Sequence, residues 1–390
     1  MVNLAIITGS DIRYFGGGEK YVLELANRLN DFNITIFSRI EKTNLRLSIE
    51  EIRKMTKAKI KFYNAPKVPI LGVQVMLFSL DGWKTAIGLK GFDVVYGLDS
   101  TSLTNATLNL FSRIYGFKYI FGVHDPGFLK NNPQKNTSIR RLLFKLYRPV
   151  YKKIFFSIQN IHVLTNYYKK KLKNEGYKGK IYLIPNFLYY NKSSIRIINN
   201  DRKFIVLFGG RLAIYQKGID LLVNIIKKVI DKNKNIEFQI FGSGEDGQEL
   251  IENLSKEHNK NVKYLGFISG SDLEKEYKNS SSYIMTSRIE AFPAVILEAQ
   301  AHGLPVIAFD TNGLSDIITA FSGSIIKQFD VDAFSNEILR YYSIWKDGKL
   351  GIKHKKRIID YTFSKYSDKI IIPKIQKMFI DKSVIRLPHK

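Results

Sequence analysis

Cysteine is absent from this 390-residue chain. Its absence excludes disulfides, thiolate nucleophiles and cysteine metal sites, and fits a reducing compartment. Histidine is scarce, with six residues that show no HExxH or comparable ligand spacing. No resident metal or other permanently bound cofactor is therefore expected. No apolar run reaches about 18 residues, so a membrane-spanning helix is not expected. The opening MVNLAIITGSDIR has no basic leader and reads as a buried first strand and its loop. The expected location is cytoplasmic, with attachment to the cytoplasmic face of a membrane left open.

Acidic residues are also short in supply, 35 against 61 Lys and Arg, for a net charge of +26. The imbalance is concentrated: residues 1–190 carry 30 basic and 12 acidic residues, and 191–390 carry 31 and 23. Between Lys135 and Lys180 there are 13 basic residues and a single acid, Glu175. Such a field attracts polyanions: nucleic acid, anionic lipid headgroups or phosphorylated substrates. It is equally compatible with a lysine-rich surface that only keeps helices solvated.

What is present is alternation. Short apolar runs at Val2–Thr8, Ile34–Phe37, Lys59–Phe62, Val94–Tyr96, Tyr119–Val123, Ile161–Leu164 and Ile181–Ile184 are separated mostly by helical patterns. That order predicts βαβ units around a mostly parallel sheet. A polar stretch, 191–202, reads as a linker, and a second series of strands and helices follows it. The predicted architecture is α/β with two tandem Rossmann-like domains, 1–190 and 203–362. An amphipathic tail over 363–390 either caps the second domain or returns to the first.

Three segments carry chemistry. Gly209-Gly210-Arg211-Leu212 with Lys217-Gly218 follows a predicted strand. Glycines there allow close backbone approach, and a guanidinium and an ammonium at a helix start suit a diphosphate. A plain structural turn explains the glycines as well. Phe241-Gly242-Ser243-Gly244 follows the next strand but matches neither GxGxxG nor GxxxxGKS/T, which speaks against nicotinamide enzymes and P-loop nucleotidases. The third segment runs from Ser287 to Ala299. Pro293 fits the first turn of a helix, placing Glu290 in the preceding loop and Glu298 within the helix. Two carboxylates so spaced can accept hydrogen bonds from hydroxyls at two ends of one ligand, or can serve as a cap and a solvent-facing residue.

As an ordered set these segments resemble the retaining glycosyltransferases of family 4, which have the B-type two-domain fold. The set is Gly16-Gly17-Gly18 and its helix, Gly209-Gly210-Arg211-Leu212 with Lys217-Gly218, and Phe241-Gly242-Ser243-Gly244. Leu265-Gly266-Phe267, Glu290 through Glu298 as an E-x7-E signature, and Gly303-Leu304-Pro305-Val306 complete it. The resemblance implies that Arg211 and Lys217 hold the diphosphate of a nucleoside diphosphate sugar, Glu298 its ribose and Glu290 the transferred sugar. Gly210, Gly242 and backbone around Ala291, Phe292 and Pro293 would complete the donor pocket. Gly17, between Gly16 and Gly18, would let the first-domain loop approach the donor. His124, in Gly122-Val123-His124-Asp125, would face the sugar or acceptor, and Asn186 would lie in the interdomain loop. The chain departs from the family pattern at Ala291, where glycine is usual, and after Pro185-Asn186. A further departure is Asn312-Gly313 with Asp316, where a double glycine and glutamate are more typical.

The implied reaction moves a hexose to an acceptor hydroxyl with retention, without a metal. Arg211, Lys217 and helix amides would stabilise the leaving diphosphate. The acceptor is expected to be a glycan, lipid-linked if the basic stretch Ile139–Arg148 and Lys169–Lys173 lie on an anionic membrane. A soluble sugar acceptor is the alternative. Nucleic-acid binding has only the charge in its favour.

Overall fold

The computed structural model describes residues 1–41, 47–65, 67–68, 73–74, 79–98, 104–124, 149, 152–195, 197, 202–244, 246–311 and 313–381. The chain forms two compact units, Met1–Asn186 with Ile371–Lys390, and Phe187–Ile370.

The first unit holds a seven-stranded sheet. Its strands are β1 (Val2–Thr8), β2 (Phe32–Arg39), β3 (Lys59–Tyr63), β4 (Val94–Gly97), β5 (Lys118–Val123), β6 (Asn160–Val163) and β7 (Lys180–Leu183), in the order β3-β2-β1-β4-β5-β6-β7. Every pairing is parallel. Helices on both faces of such a sheet leave its central strands buried on both sides, so β4, β5 and β6 read as continuous rather than alternating buried runs. The order reverses between β1 and β4. Ligands collect at such switch points, beyond the carboxyl ends of the strands. There the chain leaves β1 for α1 (Gly17–Arg28) and leaves β5 at His124.

The second unit repeats the plan with six parallel strands. They are β8 (Phe204–Gly209), β9 (Ile236–Phe241), β10 (Val262–Tyr264), β11 (Ser282–Met285), β12 (Val306–Phe309) and β13 (Gly323–Ile326), ordered β10-β9-β8-β11-β12-β13. Its helix Ile219–Lys232 shows why the sequence pattern holds. Ile219, Leu222, Ile225, Ile226, Val229 and Ile230 fall on one buried stripe, while Lys227 and Lys228 on the opposite face pair with Glu257 and Asp332. The reversal in this sheet lies between β8 and β11, so the segments after Gly209 and after Met285 share one crevice.

The division between units falls at Asn186, ahead of the polar 191–202 stretch, because the following residues are tied to the second unit. Phe187 and Leu188 are buried there, and Leu188 N–H donates to Tyr366 O at 2.7 Å. The amphipathic tail is two helices rather than one. The first runs Ile352–Tyr366 and ends at Ser367, whose extended backbone (φ −62°, ψ 149°) interrupts the helical run. The second runs Asp368–Ile380, and from Ile371 it belongs to the first unit. Phe379 packs edge-on against Phe32 and Tyr96, at 5.8 and 5.4 Å between ring centres. The buried Lys118 ammonium donates to Met378 O at 2.7 Å and Asp381 O at 2.6 Å. A cation at a helix C-terminus satisfies carbonyls that have no partner within the helix. Among the described residues no helix is long and apolar enough to cross a membrane.

Candidate active site

In the second unit, the crevice is built from two glycine loops laid against each other. Gly210 (φ +139°) and Gly242 (φ +130°) both adopt backbone that side chains rarely reach, and a Cβ on Gly242 would overlap the Gly210 carbonyl. The loops are stitched by Gly210 N–H to Phe241 O at 3.2 Å and Leu212 N–H to Ser243 O at 3.0 Å. Tyr283 on β11 donates to Gly209 O at 2.8 Å and accepts from Gly209 N–H at 3.2 Å, which fixes the end of β8.

One short helical turn, Ile214–Lys217, carries Lys217 into the crevice. Its end is held by Gly218 (φ +67°), where a Cβ would overlap Thr286 O, and by Thr286 Oγ1 donating to Lys217 O at 2.8 Å. Arg288 braces the same turn, with guanidinium bonds to Ile214 O at 2.7 Å and to both oxygens of Asp220 at 2.8 and 2.6 Å. That ion pair holds the Asp220 carboxyl below its usual range despite partial burial, which acts the other way. So braced, Lys217 Nζ lies 2.5 Å from Glu290 Oε1. Arg211 is exposed and bonds Gln216.

Glu290 lies in the loop before the helix Ala294–Ala301, as expected from the sequence. Pro293 is the residue just before that helix rather than in its first turn; the ring's fixed φ suits either place. Ala291 and Phe292 are buried, and the Phe292 ring packs on Tyr366 at 5.9 Å, so this segment offers a ligand its backbone. Glu298 lies inside the helix and is 8% exposed, not solvent-facing. Tyr277 Oη donates to its Oε2 at 3.2 Å. Tyr277 also stacks on His302 at 5.0 Å, and His302 Nδ1–H donates to Glu298 O at 2.8 Å. Burial lowers the His302 pKa and pushes the Tyr277 hydroxyl well up, so Tyr277 stays protonated as the donor to the carboxylate.

In the first unit, Gly16 caps α1 and its N–H donates to Glu19 Oε2 at 2.9 Å. Added Cβ atoms on Gly17 and Gly18 would meet nothing within 4 Å, so packing does not require these two glycines. His124 follows β5, half-buried; its Nε2 lies 3.0 Å from Tyr96 Oη, which lies 2.7 Å from His162 Nδ1. Asn186 is buried at the edge of this unit. Asp125, Asn312 and the basic Ile139–Arg148 stretch lie outside the described residues. Lys169–Lys173 are described: their helix, Asn166–Asn174, turns Tyr168 and Leu172 inward. Among the described residues no group of three His, Asp or Glu is placed to hold a metal.

Two family models cover almost the whole chain, "Glycosyltransferase Family 4" over residues 15–189 and "Glycosyl transferases group 1" over 191–363. The chain belongs to glycosyltransferase family 4. An uncharacterized glycosyltransferase of Methanocaldococcus jannaschii is 32% identical over 173 residues, 44% of this chain and 43% of that protein. The UDP-Gal:α-D-GlcNAc-diphosphoundecaprenol α-1,3-galactosyltransferase of Escherichia coli is 30% identical over 174 residues, 41% of this chain and 45% of that one. The matched stretch thus spans less than half of these relatives' length. The Anabaena HepE structure in complex with UDP superposes with a TM-score of 0.74 over 98% of this chain and all of that one, at 14% identity. The likeness extends the B-type glycosyltransferase fold to both units of this chain.

Sequence reasoning named Arg211, Lys217, Glu290 and Glu298, and the fold brings all four to the β8/β11 crevice or its adjoining helix. It assigned Lys217 and Glu290 to different parts of a ligand, whereas here they hold each other. It missed Arg288 and Asp220, Tyr277 with His302, and the Tyr96–His162 pair. Each of these depends on strand order rather than on local spacing.

Proposed function

We propose that this glycosyltransferase moves a hexose from a nucleoside diphosphate sugar to a glycan acceptor carried on a lipid, retaining the anomeric configuration. The observation that carries the reading is the Lys217–Glu290 pair at 2.5 Å beside the paired glycine loops. A nucleoside diphosphate sugar offers phosphate oxygens to Lys217 and a sugar hydroxyl to Glu290, so each half of the pair gains a partner when the donor binds. Arg211 adds a second cation for the diphosphate, and Glu298, held by Tyr277, accepts from the ribose hydroxyls. Negative charge grows on the leaving diphosphate as the sugar becomes oxocarbenium-like. Cations fixed in a part-buried crevice stabilise that charge without reorganising. Retention follows the family's front-face course, with a donor phosphate oxygen taking the acceptor proton. Glu290 is then a sugar-binding carboxylate rather than a nucleophile.

A lipid-linked acceptor is supported by the exposed apolar side chains of the first unit. Leu80, Trp83 and Ile87 on Leu80–Gly88, and Leu110 and Ile114 on Thr104–Tyr115, are exposed on two helices joined by a Trp83–Phe111 ring contact. Lys84, Lys90 and Arg113 stand beside them. Interfacial aromatic and aliphatic groups with flanking cations suit an anionic bilayer on the cytoplasmic side. The relative named for a diphosphoundecaprenol acceptor points the same way.

The test is a transfer assay over UDP-glucose, UDP-galactose, UDP-N-acetylglucosamine and GDP-mannose with polyprenyl-diphosphate-linked glycans, and NMR of the product anomer. Lys217→Ala and Glu290→Gln should each lower turnover by about tenfold to a hundredfold, as expected for a lost charge-assisted bond. Glu298→Ala should chiefly raise the donor KM. Unchanged donor kinetics in all three variants, or an inverted product, would break this reading.

A further inference from the structure

His124 ends a chain of hydrogen bonds whose far end has only one polarity. The Ile184 carbonyl can only accept, so His162 Nε2, 2.7 Å away, carries a proton. His162 is fully buried, which lowers its pKa to about 4, so the ring is neutral and its Nδ1 is bare. That nitrogen therefore accepts from Tyr96 Oη at 2.7 Å. The single phenolic proton is then committed, and the Tyr96 oxygen accepts from His124 Nε2 at 3.0 Å. The Tyr21 ring lies against His124 at 4.6 Å between ring centres. His124 is thus protonated on Nε2, and burial beside His162 disfavours a second proton.

The sheet makes this chain possible. His162 on β6 pairs in register with Gly122 on β5, and Tyr96 reaches across from β4. A Cβ on Gly122 would lie 2.6 Å from Tyr96 Oη, so only glycine leaves the hydroxyl a path to His162.

We propose that Tyr96 and His162 are positioning residues that hold His124 in the tautomer with a bare Nδ1, making it a hydrogen-bond acceptor for a sugar hydroxyl. The site then selects substrates that present a hydroxyl to Nδ1 and discriminates against their deoxy or O-methyl analogues. This rests on the sugar-transfer reading only for the identity of the hydroxyl; the tautomer assignment stands on the hydrogen-bond chain.

The test uses full-length protein with 15N-labelled histidine, and long-range 1H–15N NMR at pH 7 with His124→Asn to assign the ring. His124 should show the Nε2–H form. In His162→Leu the Tyr96 proton loses its acceptor and turns to His124, driving the ring toward Nδ1–H. His162→Gln, whose amide can donate to Ile184 and accept from Tyr96, should keep Nε2–H. With whichever of UDP-glucose, UDP-galactose, UDP-N-acetylglucosamine or GDP-mannose is turned over, kcat in His162→Leu should fall on the order of tenfold or more. Donor KM should be unchanged, and His162→Gln should stay near wild type. Tyr96→Phe gives the same kcat loss if the leucine variant does not fold. An Nδ1–H form in wild type, or full kcat in Tyr96→Phe, overturns the proposal. If none of the four donors turns over, the transfer reading fails, and the wild-type tautomer alone decides this one.

Discussion

Acidification should weaken the first unit through His162, and the size of the effect follows from its surroundings. The ring is fully buried, and burial lowers its pKa from 6.5 to about 4. A group whose folded pKa lies below its unfolded value stabilises the fold fully above the unfolded value. That contribution is lost as pH falls through the folded one. The window is therefore pH 6.5 down to 4. Linkage gives a loss of about 2 kcal/mol by pH 5 and about 3 kcal/mol by pH 4. The assay can be confined to one unit, because Trp83 lies in the first and Trp345 in the second. In a Trp345→Phe background, urea unfolding followed by Trp83 fluorescence should shift its midpoint down by about 1 M between pH 7 and pH 5, for a slope near 2 kcal/mol/M. His162→Gln removes this ionisation while keeping a donor for Ile184. Its unfolding free energy should fall less steeply by the same amount. Parallel pH profiles for the two proteins would refute the assignment of a buried neutral His162.

Three further outcomes follow from packing. Gly242→Ala places a methyl on the Gly210 carbonyl at φ +130°. It should cost about 1–3 kcal/mol of second-unit stability and abolish donor binding by calorimetry; wild-type affinity would exclude this loop from the site. Gly17→Ala meets nothing within 4 Å and should leave stability unchanged or raise it by up to about 1 kcal/mol. It should still raise the donor KM if the loop approaches the donor, and an unchanged KM would remove Gly17 from the site. Lys118→Met strips the donor from Met378 O and Asp381 O, a loss of about 1–3 kcal/mol per buried carbonyl. Hydrogen exchange over residues 371–381 should speed up selectively, and unchanged protection there would show that the ammonium does not hold the last helix.

What could be read from the sequence follows the range of the interaction that specifies it. The strand Val2–Thr8 has its expected bounds, and the strands Val94–Gly97 and Lys118–Val123 each differ from expectation by one residue, since hydrophobic periodicity and flanking turns are local. The E-x7-E spacing could be read for the same reason, because Glu290 and Glu298 share one loop and one helix. The Lys217–Glu290 pair could not, for its members are brought together by the β8–β11 pairing. His162 was hidden more deeply. Its strand, Asn160–Val163, is buried at every position, so no alternation marks the histidine as facing one side or the other. Its partner Tyr96 lies two strands away, and only the register that sets Gly122 beside His162 turns three unremarked residues into a device. The same holds for Lys118, whose acceptors stand at the far end of the chain. In a doubly wound sheet, the residues that touch a ligand gather at the ends of strands and leave short motifs behind. Those that orient them sit across strands, inside the sheet. Motif reading therefore reaches the residues that meet substrate before it reaches those that set their protonation state.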